Sequence, residues 1–465
     1  MFEKAKIIIY DSSKGEDKKR KMKTNFIKTF GCQMNVYDSH RIAGLLEQRG
    51  MSAVDRIEDA DLVIFNTCHI REKATEKLFS DLGRANIVKQ ERLCNGNDTI
   101  IGVVGCVVQA EDEQVFKRSA AVDFALGPLA YHRLGQILDD LQDDNHDMLI
   151  DTEFPAESKF DYLGENTAEG ACSFIAIQEG CDNFCTYCVV PYTRGAETSR
   201  PVEDVIKEAR KLVSDGALEL NLLGQNVNSY HGEDANGKER NLAYLLNKLA
   251  EIDGLKRLRY TTSYPADVDD DLIACHKNLP ILMPYLHLPV QSGSDKILKA
   301  MNRRHTSTQY LDIIAKLREA NPNLGFASDF IVGFPGESEE DFQATLDLVD
   351  KVKFITAFSF KYSPRPGTPA AEYDGQLAER IKKERLDILQ KKLFAYQLNF
   401  NKEMVGRIVP VLFENDGRHA GQLSGRTPYM QNLYAKADAS LKGKIVNVKV
   451  ESATMNSLSG SLVKG

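Results

Sequence analysis

The sequence predicts an α/β protein with three parts: an N-terminal parallel-sheet domain, a central incomplete (βα)6 barrel and a small C-terminal antiparallel β-barrel. Three observations support this fold class. Strand-like and helix-like segments alternate from residue 24, six further strand–helix units follow an acidic stretch, and the last segment has the two-residue alternation of β-strands. The predicted boundaries are a charged tail at 1–23, the N-terminal domain at 24–140, a linker at 141–171, the central barrel at 172–400 and the C-terminal barrel at 401–465.

The N-terminal domain is predicted from three apolar segments that each end at a cysteine. These segments are NFIKTFGC, ADLVIFNTC and TIIGVVGC, and they end at Cys32, Cys68 and Cys106. Helix-like stretches at 37–49 and 72–89 lie between them. Strands of a parallel sheet all end at one edge, where such folds bind their ligands. We therefore expect the three cysteines to lie close together.

The central barrel is predicted from six strands separated by helices, with the site at the carboxyl ends of the strands. The predicted strands are 174–178, 219–223, 257–261, 285–288, 326–332 and 356–362. The predicted helices are 202–214, 242–252, 267–276, 295–318 and 339–352, followed by a long amphipathic helix at about 377–400.

The C-terminal segment differs from the rest of the chain in charge. Residues 401–465 contain nine Lys and Arg against five Asp and Glu, a balance of +4, whereas the whole chain carries −8. A small basic β-barrel at the end of an acidic chain is typical of an oligonucleotide-binding module. A structural cap is the alternative.

Composition restricts the class of protein further. The chain has 465 residues, of which 42% are hydrophobic and 27% charged, as in globular proteins. No apolar run approaches the roughly 18 residues of a membrane helix, and residues 1–23 lack the apolar segment of a secretory signal. We therefore expect a cytoplasmic protein with no membrane partner. The tail is interpreted as solvated, with an RNA-contacting arm as the alternative.

Nine cysteines in a reducing compartment are more often ligands or catalysts than disulfides. The most specific pattern is Cys181, Cys185 and Cys188, spaced C-x3-C-x2-C after the first barrel strand. Zinc sites usually have four ligands, and iron–sulfur clusters are ordinarily held by four thiolates. Three thiolates on a four-iron cluster leave one iron open for a small molecule. The alternative is three unrelated cysteines on a loop.

The trio of Cys32, Cys68 and Cys106 is a weaker signal, because its members are far apart in sequence. A zinc site or three buried thiols remain alternatives from this domain alone, and a second cluster becomes the better interpretation once the other trio is considered. His69 is not expected to be a ligand, since neighbouring side chains on a strand point in opposite directions. The other cysteines are interpreted as free or packed thiols: Cys94, Cys172 and Cys275.

The C-x3-C-x2-C loop resembles that of the radical S-adenosylmethionine (SAM) superfamily, and Tyr187 before its last cysteine fits this resemblance. Over almost the whole chain, the sequence resembles the methylthiotransferases. The motifs that carry this resemblance are TFGCQMN (29–35), NTCHIREKA (66–74), GCVVQ (105–109), QEGCDNFCTYCVVPYTRGAETSRP (178–201), LLGQNVNSY (222–230), LHLPVQSGSDKILKAMNRRHT (286–306), DFIVGFPGESEEDF (329–342) and YSPRPGTPA (362–370). GQLSGRT (421–427) and SLSGSLV (457–463) resemble the RNA-binding TRAM domain of that family.

The resemblance implies an enzyme with two 4Fe–4S clusters that consumes two SAM molecules per turnover. The trio Cys181, Cys185 and Cys188 would hold the cluster that cleaves SAM, and the trio Cys32, Cys68 and Cys106 would hold an auxiliary cluster that donates sulfur. NTCHIREKA and VVPYTRG indicate members that modify isopentenyladenosine beside the anticodon of tRNA. Other members modify threonylcarbamoyladenosine in tRNA or an aspartate of a ribosomal protein. A flavodoxin or ferredoxin and a cluster-repair or sulfur-supply protein are the further partners implied.

Polar groups at the strand ends are the candidates for binding SAM, with turn chemistry as the alternative for each. Besides Tyr187 near the adenine, they are Gln225, Ser263, Gln291, Ser292 and the two glycines of the Gly333–Gly336 turn. Arg194, which follows the cysteine loop, is suited to a phosphate or carboxylate, with a surface salt bridge as the alternative. Two functions of other classes stay open: a non-enzymatic iron–sulfur protein and a zinc-containing RNA-binding protein.

Overall fold

The computed structural model of the chain describes residues 22–68, 72–142, 148–154, 159–162, 166–168 and 170–463. Most of the predicted tail, His69 and parts of the predicted linker (143–147, 155–158, 163–165 and 169) therefore lie outside the described residues. The described chain divides into two compact units. One contains residues up to Asn166 together with Val189–Ala196, and the other contains Thr167–Cys188 together with the chain from Glu197 onwards.

The N-terminal unit contains a six-stranded parallel sheet in the order β2-β1-β3-β4-β5-β6. Its strands are β1 (Thr24–Phe30), β2 (Ser52–Ala53), β3 (Leu62–Thr67), β4 (Ile100–Val104), β5 (Phe124–Leu126) and β6 (Leu149–Asp151). Its helices are α1 (Gln33–Gln48), α2 (Glu72–Cys94), α3 (Cys106–Glu111), α4 (Gln114–Arg118), α5 (Leu134–Gln142) and the later α6 (Val190–Arg194). Every residue of β3 is buried, as a near-continuous apolar run in a covered parallel sheet requires.

The second unit begins with an open barrel of six parallel strands. Three-stranded sheets in the orders β13-β10-β7 and β14-β15-β16 are joined by a parallel bridge between Leu258 and Leu282. The barrel strands are β7 (Cys172–Ala176), β10 (Glu219–Leu223), β13 (Arg257–Tyr260), β14 (Tyr285–His287), β15 (Gly325–Val332) and β16 (Thr356–Lys361). Short strand pairs lie in the connections: β8 (Gln178–Glu179) with β9 (Thr198–Ser199), and β11 (His231–Glu233) with β12 (Glu239–Asn241).

Helices cover the outer face of this barrel and pack apolar side chains against its strands. They are α7 (Val202–Ser214), α8 (Leu242–Ala250), α9 (Asp270–Asn278), α10 (Asp295–Ala300), α11 (Ser307–Ala320), α12 (Glu339–Val352) and α13 (Glu379–Glu403). The single helix expected at 295–318 is wrong, because the chain forms α10 and α11 instead. Asn302 between them has φ +57°, and Thr306 begins α11 with a capping box that includes Gln309.

The C-terminal part is a closed five-stranded barrel in the order β17-β18-β19-β21-β20. Its strands are β17 (Ile408–Asp416), β18 (Gln422–Arg426), β19 (Asn432–Lys436), β20 (Ile445–Ala453) and β21 (Leu458–Leu462). All neighbouring strands are antiparallel except β19 and β21, which are parallel. Inward-facing side chains of all five strands form one small apolar core. The predicted fold class is thus confirmed for all three parts.

Candidate active site

The first thiol trio lies at the carboxyl edge of the N-terminal sheet. Cys32 follows β1, Cys68 follows β3 and Cys106 begins α3 directly after β4, and these three strands are neighbours. Gly31 allows the strand ends that carry Cys32 and Cys68 to lie close together, because its φ is +120° and a Cβ there would lie 2.4 Å from the Cβ of Cys68. The convergence expected from the parallel strands is therefore present in the fold.

The three thiols differ in their electrostatic surroundings. A hydrogen bond with Cys68 lowers the pKa of Cys32 to about 6, although burial alone would raise it. Arg194 and the first backbone N–H groups of α1 also lower this pKa. Burial raises the pKa of Cys106, although Arg194 Nε donates to its Sγ at 3.4 Å. Of Cys32 and Cys106, Cys32 is therefore better suited to be a thiolate at neutral pH.

Buried polar groups support this trio. Asn35 Nδ2 donates to Asn66 Oδ1 at 2.8 Å, and Asn66 Nδ2 donates to the Asn35 carbonyl at 2.9 Å. Asp38 accepts from Arg194 at 2.8 Å and from Lys159 at 3.1 Å, and these two cations hold its pKa below the ordinary value although burial opposes ionisation. Arg194 thus binds a carboxylate of the chain in the interior rather than at the surface. The roles of the asparagines and of Asp38 were missed from sequence, and the only signal was their place beside the cysteine motifs.

The second thiol trio lies on the loop after β8. Asn183 Nδ2 donates to Cys181 Sγ at 3.4 Å, and the Cys188 amide donates to the Cys185 carbonyl at 2.9 Å, which makes a tight turn. Phe184 within the loop has φ +45° and is 53% exposed. Of the three thiols on this loop, Cys185 is buried, and Cys181 and Cys188 are partly exposed.

The segment between α10 and α11 holds the thiol loop in place. Asn302 Nδ2 donates to the Asn183 and Phe184 carbonyls at 3.1 and 3.0 Å, and Arg303 Nη1 donates to Cys185 Sγ at 3.7 Å. Tyr187 packs against an apolar cluster that includes Phe334 and Tyr362, and burial raises its pKa well above the ordinary value. Sequence reasoning missed Asn302 and Arg303 because it placed them inside one helix at 295–318, and the wholly polar run at 302–309 was the signal that could have shown the break.

The donor chemistry fits thiolate ligation of a cluster. Each trio offers three sulfurs, and beside the second trio the enclosed Nε of Arg303 has no hydrogen-bond acceptor among the described residues. Among the described ranges, no three His, Cys, Asp or Glu side chains are arranged to hold a single metal ion as they stand.

The six SAM-binding candidates at the strand ends occupy different environments. Gln225 Oε1 accepts from the Gly180 amide at 2.7 Å and so orients the start of the thiol loop. The hydroxyl of Ser263 is buried without a hydrogen-bond partner, and Gln291 has φ +75°. The others use their polar groups within the fold. The Ser292 hydroxyl contacts Thr345 and accepts from the Ser294 amide, and the Gly333 and Gly336 amides donate to Glu337 and Gly375.

The opposite end of the central barrel contains a buried ion cluster that we call the base cluster: Glu219, Arg257 and Arg259. Arg259 Nε lies 3.0 Å from Glu219 Oε1, and Arg257 Nη1 lies 3.5 Å from Oε2. The same two guanidinium groups donate to carbonyl oxygens of the C-terminal barrel at 2.7 to 3.1 Å, namely Pro410, Arg426, Thr427 and Pro428. The base cluster therefore attaches the C-terminal barrel to the central barrel.

Three parts of the chain match known families. Residues 175–349 match the Radical SAM superfamily, residues 24–127 match Uncharacterized protein family UPF0004, and residues 402–463 match the TRAM domain. The radical SAM family implies a 4Fe–4S cluster and SAM, and the TRAM domain suggests RNA binding. No helix in the described ranges is long and apolar enough to cross a membrane.

Solved structures agree on the fold. The radical SAM methyltransferase TsrM from Kitasatospora setae, with cobalamin and a 4Fe-4S cluster bound, has a TM-score of 0.56 at 13% identity over 75% of this chain and 77% of that chain. The cobalamin-dependent SAM radical enzyme OxsB has a TM-score of 0.52 at 12% identity over 81% of this chain and 58% of that chain. These identities establish likeness of fold alone. Together, the three matches indicate a radical SAM enzyme, and the UPF0004 and TRAM matches suggest the methylthiotransferase type.

Proposed function

We propose that the chain is a tRNA methylthiotransferase equivalent to tRNA-2-methylthio-N6-dimethylallyladenosine synthase. It replaces the hydrogen at C2 of N6-isopentenyladenosine, beside the anticodon, with a methylthio group. The observation that carries this proposal is the presence of two separate thiol trios, one after the first strands of the central barrel and one at the carboxyl edge of the N-terminal sheet. A reaction that needs both a radical source and a sulfur donor requires two such sites.

In this proposal Cys181, Cys185 and Cys188 hold the cluster that binds SAM at its open iron. When bound, this cluster supplies the electron that cleaves SAM to the 5′-deoxyadenosyl radical. The chain fixes the loop through Asn302 and Gln225, whose hydrogen bonds to loop backbone span 2.7 to 3.1 Å. Fixing the ligands in advance supports the chemistry because the cofactor does the reaction and the protein positions it.

Cys32, Cys68 and Cys106 would hold the auxiliary cluster as the source of sulfur, which a second SAM methylates. The buried Asn35–Asn66 pair fixes the backbone beside Cys32 and Cys68. The N–H group of Arg194 that donates to Cys106 favours the thiolate there, against the effect of burial, which raises the pKa of this thiol. Resupply of sulfur then requires a sulfur-supply or cluster-repair partner, and the reducing electron requires a flavodoxin- or ferredoxin-type donor.

The C-terminal barrel would bind the tRNA backbone. Residues 401–465 have a charge balance of +4, and the base cluster fixes this barrel to the central one. Phosphate contacts release counterions, so the affinity for tRNA should fall steeply as salt rises. The acidic remainder of the chain limits indiscriminate binding, which suits an enzyme that selects one base.

The proposal is tested by nucleoside mass spectrometry of tRNA from a strain that lacks the gene. We expect loss of the 2-methylthio-isopentenyl nucleoside with accumulation of its isopentenyl precursor, and restoration by the wild-type gene but not by the Cys181→Ala variant. Loss of a methylthio group from threonylcarbamoyladenosine or from a ribosomal aspartate instead would assign one of the other family substrates. An unchanged profile, together with zinc and no iron in the anaerobically purified protein, would refute the enzymatic function.

A further inference from the structure

Arg303 lies in the break between α10 and α11 and directs its guanidinium group at the second thiol trio. Its Nη1 donates to Cys185 Sγ at 3.7 Å, and its Nη2 donates to the Pro289 carbonyl at 2.5 Å. Its Cζ lies 4.1 Å from the ring centre of Tyr264. These contacts fix the group on three sides, so that it remains beside Cys185.

No carboxylate of the described residues lies within 4 Å of Arg303, and its enclosed Nε has no hydrogen-bond acceptor. A guanidinium group stays charged in proteins, and a sheltered charge without a partner is costly. Among the described residues, no carboxylate therefore balances the charge of Arg303.

Arg194 beside the first trio is different. It also donates to a cysteine sulfur, but its Nη2 forms an ion pair of 2.8 Å with the buried carboxylate of Asp38. The ion pair of Arg194 is thus complete in the chain itself. The two arginines can be compared directly, because Arg194 has a carboxylate partner in the chain, whereas Arg303 has none among the described residues.

We propose that Arg303 is a positioning residue whose counterion is the anionic group held by Cys181, Cys185 and Cys188. Binding of that group removes the free-energy cost of burying an unpaired guanidinium group. Arg303 therefore makes the folded state more stable with the group bound than without it. The N–H donation to Cys185 also stabilises the more negative, reduced state of the group. This inference rests on the part of the proposed function that assigns an iron–sulfur cluster to the loop.

The test compares Arg303→Met, Arg303→Lys and Arg194→Met with a common parent protein, each as apoprotein and after anaerobic reconstitution with iron and sulfide. All carry Cys32→Ala, Cys68→Ala and Cys106→Ala so that only the loop cluster forms. In thermal unfolding, the apo form of Arg303→Met should be at least as stable as the apo form of the parent. Reconstitution with iron and sulfide should then stabilise Arg303→Met clearly less than it stabilises the parent. Apo Arg194→Met should instead be less stable than its parent, because it breaks a buried ion pair.

The reduction potential of the loop cluster is the second readout. We expect Arg303→Met to lower the ratio of reduced to oxidised cluster about tenfold at a fixed potential, equivalent to about 59 mV for one electron, and Arg303→Lys to retain most of the parent value. Equal destabilisation of the apo and loaded forms by Arg303→Met, with an unchanged potential, would overturn the proposal and leave a packing role. Failure of both Arg303 variants to load, while the parent loads, would also overturn it, because charge would then not be the property that matters.

These outcomes are separate from those of the proposed function. A wild-type chain that loads clusters and cleaves SAM but leaves tRNA unmodified would refute the tRNA assignment, and the comparison at Arg303 would stand. A wild-type chain that takes up no iron would refute both.

Discussion

Removing the carboxylate of Glu219 from the base cluster should weaken the attachment of the C-terminal barrel. Glu219 is fully buried, and Arg257 and Arg259 have side chains that are 2% exposed. Glu219→Gln keeps the shape of the side chain but removes the one described carboxylate within 4 Å of the two sheltered guanidinium groups, and Glu414 acts on them only from farther away. Breaking a buried ion pair in this way costs about 3 to 5 kcal/mol. Because the two arginines also donate to four carbonyls of the C-terminal barrel, we expect this cost to appear there first.

The assay is hydrogen exchange of β17 and β18 amides, combined with urea unfolding at pH 7. The matched control is Glu251→Gln, which removes a surface partner of Lys248 and should change stability by about 0.5 kcal/mol or less. Arg259 and Arg257 hold the pKa of Glu219 below its ordinary value although burial alone would raise it. Its stabilisation is therefore present above the unfolded pKa of about 4.3 and is lost as the pH falls through the lower folded pKa. A Glu219→Gln variant that matches its control in both measurements would refute the reasoning.

Three other predictions follow from single contacts. Gly333→Ala should lower stability by at least about 1 to 2 kcal/mol in urea unfolding, because φ is +71° and the new Cβ would lie 2.3 Å from Lys382 Cγ. In Gly83→Ala, the new Cβ in α2 has no atom within 4 Å, and the variant should be more stable by up to about 1 kcal/mol. A change of stability with the same sign in Gly333→Ala and Gly83→Ala would contradict this account. Burial lowers the pKa of His276 to about 4, so below pH 6.5 the unfolded chain binds more protons than the folded chain does. The free energy of unfolding should therefore fall by about 2 kcal/mol between pH 7.5 and pH 5 because of this residue. His276→Gln should reduce this dependence of stability on pH.

The parts of the fold that follow from periodicity were predictable from the sequence. The convergence of the three cysteines at strand ends follows from the apolar pattern alone, because parallel strands end at one edge. The strand at Glu219–Leu223 and the helix at Val202–Ser214 have the predicted bounds. In each case the local pattern and the tertiary packing agree.

The supports of the site were not predictable, because they depend on contacts between distant segments. Residues 302–309 at the break between α10 and α11 are all polar, but nothing local shows that Asn302 adopts a positive φ to reach the thiol loop. Glu219 and Arg259 each lie in a barrel strand, and only packing of the C-terminal barrel explains why both are buried. Whether the six cysteines hold clusters stays a prediction.

The most direct test of the central claim is the iron content and SAM cleavage of the variant that carries Cys32→Ala, Cys68→Ala and Cys106→Ala. If each trio holds its own four-iron cluster, anaerobic reconstitution should give half the iron of the wild type. The variant should still release 5′-deoxyadenosine with dithionite and SAM but should not methylthiolate tRNA. Iron content equal to that of the wild type would contradict the two-cluster account.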